Sequence, residues 1–318
     1  MQTLTLLDGH WKDGDVVLNV GCGTGNETIM IVEMDNVSSV IGNVYAAPCA
    51  GYTPLMQTFG TILSGHDFEQ PTSGYTLALS DGHWKDGDVV LDVGCGTGDE
   101  TKLIAEMDNV SSVIGVDISP QMIEYAKTQH VISKKVEYIQ GDVCRLVEEH
   151  PQLSNHFTKV VSFSCFNWFE NQKDALKNVS ACLSDGGECA IHMSYKSNPV
   201  HDANVQMNRH EQWKDQLQGF NDGLYLYPGS PAEFAEVVKT CGFTDVKCYS
   251  DDVITKMHST EDMKDSFRAI LGQLNVIPPN QHEDFLQDWL HVFDKINSHD
   301  GSETRIYNIP SLFVWARK

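Results

Sequence analysis

The sequence predicts an α/β fold: a doubly wound sheet, mainly parallel, with an antiparallel last strand and a helical insertion before that strand. Three observations carry the prediction. From Val89 onward short apolar runs alternate with helical segments, the first run ends in the glycine turn Gly94-Cys95-Gly96-Thr97-Gly98, and an amphipathic stripe precedes a final apolar run. Repeated strand–helix units of this kind specify a parallel sheet wrapped by helices on both faces.

The elements follow in order. Val89 to Val93 is a short apolar run of the sort a buried parallel strand needs, and Asp99 to Met107 reads as the helix after it. Ser112 to Val116 is the second strand, ending at Asp117; Ser119 then caps a helix with Pro120 in its first turn. Val136 to Ile139 and Lys159 to Phe163 are the third and fourth strands. A helix over Asp174 to Cys182 closes on a turn at Ser184 to Gly187, and Glu188 to Met193 is the fifth strand. Pro199 to Pro228 is polar and predicts a helix and loop over the sheet's carboxyl edge. Pro231 to Cys241 is a helix closed by Gly242, followed by a strand at Asp245 to Tyr249. His258 to His299 is helical, with a capping box expected at Asn280 to Glu283 and apolar residues Phe285, Leu286, Trp289, Leu290 and Phe293 at helical spacing. Such a stripe reads first as core, and its place before the last strand also suits a lid over an apolar substrate. Ser311 to Ala316 is the last strand.

A stretch of this chain is written twice. Asp8 to Gly42 recurs at Asp81 to Gly115, a constant offset of 73, with differences only at Asn19/Asp92, Asn26/Asp99, Ile29/Lys102, Met30/Leu103 and Val32/Ala105. The second copy runs on into Val116-Asp117-Ile118-Ser119, whereas the first passes into Asn43-Val44-Tyr45. Residues 1–44 therefore read as a truncated duplicate of a strand-turn-helix unit, 45–76 as a poorly ordered linker rich in Gly, Pro, Ser and Thr, and 77–318 as the working domain, with its lid insertion at about 255–300. If the first copy took the second copy's slot in the sheet, it would have to close a loop of some 76 residues from Gly42 to Ser119. That closure costs about 3 kcal/mol more than the short connection of the second copy.

Composition narrows the function. With 44 acidic against 22 basic residues the formal charge is −22, which repels nucleic-acid backbones and anionic lipid, and no local basic cluster offsets it. Small-molecule chemistry is favoured. Nine cysteines without CxxC spacing, no signal pattern and no apolar run of membrane-spanning length point to reduced thiols in a cytoplasmic protein. Thirteen histidines show no metal-ligand spacing, so no metal is expected.

The glycine turn is the strongest signal. Glycines at alternate positions after a strand let the backbone turn sharply and approach a ligand. Asp117, at the tip of the next strand, stands where a carboxylate accepts both hydroxyls of a ribose. The spacing GxGxG differs from the GxGxxG that accommodates a pyrophosphate, so a ribose-bearing ligand without phosphate fits better, namely S-adenosylmethionine. Asp142, after the third strand, is placed to bond the adenine amino group. Cys95 reads as a small packing residue rather than a nucleophile. His192 would be the base for a phenol or amine acceptor, but its place within a strand reads as a core histidine.

VLDVGCGTG, GVDIS, QGDV and LSDGG, in that order, resemble the motifs of class I S-adenosylmethionine-dependent methyltransferases, from about Lys85 to Lys318. Within that superfamily, Val161 to Phe169 and the ending Val314 to Lys318 resemble juvenile hormone acid O-methyltransferases and their relatives. The resemblance implies a Rossmann-like sheet, cofactor contacts from Asp92, Gly94, Cys95, Gly96, Asp117, Ile118, Met122, Asp142, Val143 and Phe163, and Trp168 as the active-site tryptophan whose indole N–H orients a carboxylate. It also implies transfer of the sulfonium methyl to a carboxylate oxygen of an apolar acid of juvenile-hormone-acid or farnesoic-acid type. The partner expected is thus a small-molecule carboxylic acid, with no nucleic acid and no membrane; oligomeric state is open. One departure stands out: upstream of Lys85 nothing matches the family's first helix with its site-closing glutamine. A cofactor-binding pseudoenzyme or interaction protein, inactive through that change, is the alternative. An NAD-dependent oxidoreductase is disfavoured by the glycine spacing.

Overall fold

The computed structural model describes residues 84–130 and 134–318, together with the backbone of two short strands at 16–20 and 28–32. The chain divides into two units, Met1–Ala50 and Gly51–Lys318. In the first, β1 (Val16–Val20) pairs antiparallel with β2 (Thr28–Val32). This departs from the helix expected of a duplicate, since the equivalent residues of the second copy, Thr101 to Ala105, are helical. Three of the five differences between the copies fall inside this window. They replace Lys102, Leu103 and Ala105 by Ile29, Met30 and Val32, trading helix formers for residues that include two β-branched ones. The segment read as a linker, 45–76, and the place of the missing first helix lie outside the described residues.

The second unit is built on a seven-stranded sheet. Its strands are β3 (Asp88–Val93), β4 (Val110–Asp117), β5 (Val136–Gln140), β6 (Phe157–Phe163), β7 (Leu183–Ser194), β8 (Thr244–Met257) and β9 (Arg305–Arg317), in the order β5-β4-β3-β6-β7-β9-β8. Pairing is parallel from β5 through β7, and β9 runs antiparallel between β7 and β8. The expected antiparallel last strand is present.

Helices cover both faces, as the alternation along the buried strands requires. Leu91 and Val93 face a core shared with α4 (Gln172–Cys182) and α6 (Pro231–Thr240), whereas Val90 faces α1 (Asp99–Ala105). On the α1 side α2 (Pro120–Gln129) adds Ile123 and Ala126. Local chemistry sets the helix starts. Ser119 accepts from the Met122 N–H with Pro120 at the first helical position, and α6 opens on a complete capping box between Ser230 and Glu233. A short α3 (Leu146–Glu149) follows a 3-10 turn at Val143–Arg145.

Four local expectations are corrected. The turn at Ser184 to Gly187 is absorbed into β7 as an irregularity: the register jumps from Phe157↔Leu183 to Lys159↔Glu188, with Gly186 at φ 75°. The strands at Asp245 to Tyr249 and Ser311 to Ala316 are the inner halves of β8 and β9, which continue together to the pair Met257↔Arg305. The first residues assigned to the lid, Thr255 to Met257, therefore belong to a strand. The remaining helical stretch is two helices, α7 (Thr260–Ile270) and α8 (His282–Ile296), separated by 3-10 turns. Asn280 lies in one of those turns and makes no capping box with Glu283, whose carboxylate instead joins Lys264 and Arg268 of α7.

The outer halves of β8 and β9 extend past the end of β7, and the lid is built on them. Val253, Met257, Tyr307 and Ile309 pack with Met263 and Phe267 of α7, with the whole stripe of α8, and with Val200, Ala203 and Met207 of α5 (Pro199–Met207). The stripe is spent on this packing: Phe285, Leu286, Trp289, Leu290 and Phe293 are all buried. Trp289 lies 4.3 Å from Phe267 and 5.2 Å from Phe293, centroid to centroid. Among the described residues no helix is long and apolar enough to cross a membrane.

Candidate active site

The chain runs outward through β3, β4 and β5, then returns to lay β6 on the other side of β3. Where the direction of travel reverses, the loops at the carboxyl ends of β3 and β6 diverge and leave a crevice, the place where open α/β sheets bind ligands. The register brings the expected residues to that edge. Val93 pairs with Val116 and Asp117 with Gln140, so the glycine turn, Asp117 and Asp142 follow one another along neighbouring strand tips, with Phe163 at the tip of β6.

Asp117 ties two of those tips together. Only 1% exposed, it accepts from the Gly96 N–H through Oδ2 (3.0 Å) and from the Ser119 N–H through Oδ1 (2.8 Å). Gly96 meets it with φ 51°, in the left-handed region. Asp92, equally buried, accepts a 2.6 Å hydrogen bond from the Thr101 hydroxyl of α1. Burial pushes the Asp92 carboxyl up to about 7, against the lowering effect of Thr101, and Asp117 adds to the rise. Burial also raises Asp117, to about 6, against its backbone donors. Glu100 keeps part of its surface open to solvent; its carboxyl is nevertheless pushed up to about 8, by loss of hydration first and by Asp92 second. Among the described residues none of the three has a Lys or Arg partner.

Two of the turn's glycines are also required by the protein itself. Gly94 has φ 74°, and a Cβ there would stand 2.2 Å from Cys165 Sγ; a Cβ on Gly98, at φ 85°, would stand 2.6 Å from the Tyr138 hydroxyl. Close approach at these two positions is therefore to protein side chains packed under the turn. Tyr138 also donates to the Gly98 carbonyl (3.1 Å) and so fixes the turn from below. Cys95 is buried, and burial drives its thiol well above the usual range, which suits packing and not nucleophilic attack.

The remaining expected contacts distribute along the same edge. Asp142 spends Oδ1 on the Cys144 N–H (2.9 Å), which caps the 3-10 turn and holds its carboxylate at the tip of β5. Ile118 is half-buried beside Asp117, Met122 lies in the first turn of α2, and Val143 is buried in the 3-10 turn. Phe163 is 9% exposed and packs with Val90 and Val161.

Beyond Phe163 the backbone turns through Ser164, a non-glycine residue at φ 54°. Residues Phe166–Trp168 then form a 3-10 turn that places Trp168 in the apolar layer of the lid, 5% exposed. With the Asn167 amide turned so that its nitrogen donates to the Ser164 carbonyl, its oxygen accepts from Trp168 Nε1, both at 3.2 Å. The turn is held from outside by the Tyr225 N–H, which donates to the Asn167 carbonyl (2.7 Å), and by Gln172, which donates to the Phe166 carbonyl (3.0 Å). His192 lies inside β7, 5% exposed and stacked on Phe313 at 5.0 Å; burial lowers it to about 4. It is a neutral core histidine at physiological pH.

Sequence reasoning missed Thr101, Tyr138 and Asn167. Thr101 had one available signal, its position in the first turn after a glycine turn; the other two act through spatial neighbours that spacing does not reveal. Among the described residues no group of three His, Cys, Asp or Glu side chains could hold a metal ion.

Comparison with known proteins agrees with this geometry. A methyltransferase domain family matches residues 90–187, from β3 through the irregular start of β7. The juvenile hormone acid O-methyltransferase of Drosophila melanogaster is 28% identical over 223 residues, covering 67% of this chain and 73% of that protein. That of Bombyx mori is 27% identical over 251 residues, covering 74% and 87%. Among solved structures, the YcgJ protein of Bacillus subtilis superposes with a TM-score of 0.53 at 16% identity, over 77% of this chain and 97% of its own, a likeness of fold.

Proposed function

We propose that this chain, a class I S-adenosylmethionine-dependent methyltransferase, methylates a carboxylate oxygen of a small apolar acid of juvenile-hormone-acid or farnesoic-acid type. The observation that carries the acceptor assignment is Trp168, a buried aromatic with an N–H, standing between the sheet's carboxyl edge and an apolar layer. The names of the insect relatives support the same acceptor class.

The residues fit the cofactor. Asp92 and Asp117, buried acids without a cationic side chain beside them, suit a ligand that carries positive charge and hydroxyl groups. When bound, the cofactor supplies an electrophilic methyl on a sulfonium sulfur. On this reading Asp117 takes the ribose hydroxyls while keeping the Gly96 turn in place, and Asp142 takes the adenine amino group. Trp168 turns its N–H from Asn167 to the acceptor carboxylate and aligns one oxygen for attack. The apolar layer excludes water, which strengthens these polar contacts.

No general base is needed. A carboxylic acid ionises at about 4 to 5, so the acceptor arrives as the nucleophile. This accords with His192, held neutral and within the core. The test is transfer of radiolabelled methyl from S-adenosylmethionine to a panel of apolar acids, phenols and amines. Labelled methyl ester from acids alone is the expected result. Label on amines or phenols instead would overturn the acceptor assignment, and cofactor binding with no product from any acceptor would favour a pseudoenzyme.

A further inference from the structure

The lid layer is apolar in bulk, but at and near it are buried polar atoms without a hydrogen-bond partner among the described residues. Gln273, in the 3-10 turn Gly272–Asn275, is wholly buried, and among the described residues neither its Oε1 nor its Nε2 has a hydrogen-bond partner. Its neighbours Leu271, Leu274 and Ile277 belong to the layer that contains Trp168. Asn204 of α5, 1% exposed, accepts from Trp289 Nε1 (2.8 Å) but leaves Nδ2 unmatched in the same layer. Asn208, one turn further along, and His210 add one unmatched atom each. Polar atoms buried without partners are rare because each forfeits its hydrogen bonds to water. Groups kept at the expense of stability point to use by a ligand.

The chemistry of these atoms is specific. The unmatched atoms of Gln273 and Asn204 are neutral and include both donors and an acceptor. A carboxylate only accepts and an ammonium only donates, so neither answers both. A hydroxyl donates once and accepts twice. We propose that Gln273 recognises a hydroxyl group on the methyl acceptor, remote from its carboxylate. The preferred substrate is then a hydroxylated apolar acid rather than a plain one. The inference rests on the acceptor reading given above. Gln273 is fully covered by the layer, so this recognition requires the layer to open over it.

The experiment uses the full chain saturated with S-adenosylhomocysteine. Dodecanoic acid and a positional series of its hydroxy derivatives are titrated in, read by tryptophan fluorescence, for the wild type and Gln273→Met. At least one hydroxy isomer should bind roughly tenfold tighter than the plain acid, and Gln273→Met should reduce that advantage below about twofold. Gln273→Met should also melt about 3 °C higher, because a side chain of similar size without unmatched polar atoms replaces the amide. Absence of any preferred isomer, a preference that survives in Gln273→Met, or a lower melting temperature would each overturn the proposal. Methyl transfer to the same acids separates the two readings. Methylation without hydroxyl preference removes this inference alone, while Gln273-dependent hydroxyl preference without methylation removes the acceptor assignment and leaves Gln273 as a hydroxyl site for a ligand that is not methylated. If no acid binds, both fall.

Discussion

Asp117 and Gly96 are joined across two strand tips by a 3.0 Å hydrogen bond from the glycine N–H to the carboxylate. One side chain thus holds the turn in its left-handed conformation and, in the proposed site, also meets the ligand. Asp117→Ala should therefore weaken S-adenosylmethionine binding by about 100-fold, the loss of two hydrogen bonds to a charged group. Calorimetric titration checks it; an affinity within about threefold of wild type would remove Asp117 from the cofactor site.

Binding should also depend on pH. Asp92 and Asp117 are raised to about 7 and about 6, so the folded, ligand-free protein holds protons that the unfolded chain has lost by about pH 4. The stability this contributes is complete below the unfolded value and is lost as pH rises through 6 to 7. A cationic ligand favours the ionised carboxylates, so affinity should move the opposite way and rise between pH 5.5 and 7.5. The limit is about tenfold per pH unit for each proton released. Asp92→Asn should flatten the curve. Titrations in buffers of different ionisation enthalpy count the protons directly, and no proton release at pH 6.5 would contradict the expectation.

Trp168→Phe keeps an aromatic ring in the lid layer and removes only the N–H. With an acid acceptor, kcat should fall roughly tenfold or more, the share of one hydrogen bond to a carboxylate, while cofactor affinity changes little. Steady-state kinetics with each substrate varied in turn distinguishes this from general damage, which would move both.

Gly94→Ala sets a methyl group against Cys165, whose Sγ and Cβ would lie at 2.2 and 2.5 Å, and does so at φ 74°. Overpacking and backbone strain add, so a loss of about 3 kcal/mol or more is expected by urea unfolding. Gly186→Ala, where a Cβ would meet nothing within 4 Å, carries the strain of its positive φ alone and should lose about 1 kcal/mol.

Much of the sheet was legible because each strand tip announces itself locally. Gly94 to Gly98, Ser119-Pro120 and Gly141-Asp142 mark three successive carboxyl ends by residues that terminate strands or start helices for reasons internal to a few positions. What could not be read depends on partners far away in sequence. The outer half of β8 carries Asp251, Asp252 and Lys256 and looks like a loop; it is a strand because β9 pairs with it residue by residue. Glu283 looks like the end of a capping box and is instead the counterion of Lys264 and Arg268. Gly94 was read for its ligand, and its closeness to Cys165 could not be read with it. The helix of the first copy failed for the opposite reason: identity between copies outweighed the β-branched residues at Ile29 and Val32.

The position of β9 between β7 and β8 has a consequence for how the chain reaches its native state. During synthesis β8 emerges before the strand it pairs with among the described residues, which follows α7 and α8. Until then β7 and β8 each present an open edge, and the aromatic face of α8 has no outer hairpin to pack on. The nascent protein therefore spends that interval in the state most open to aggregation and most dependent on chaperones. Only with β9 present can β7 and β8 belong to one sheet, and β9 also supplies Tyr307, Ile309 and Phe313 to the layer that contains Trp168.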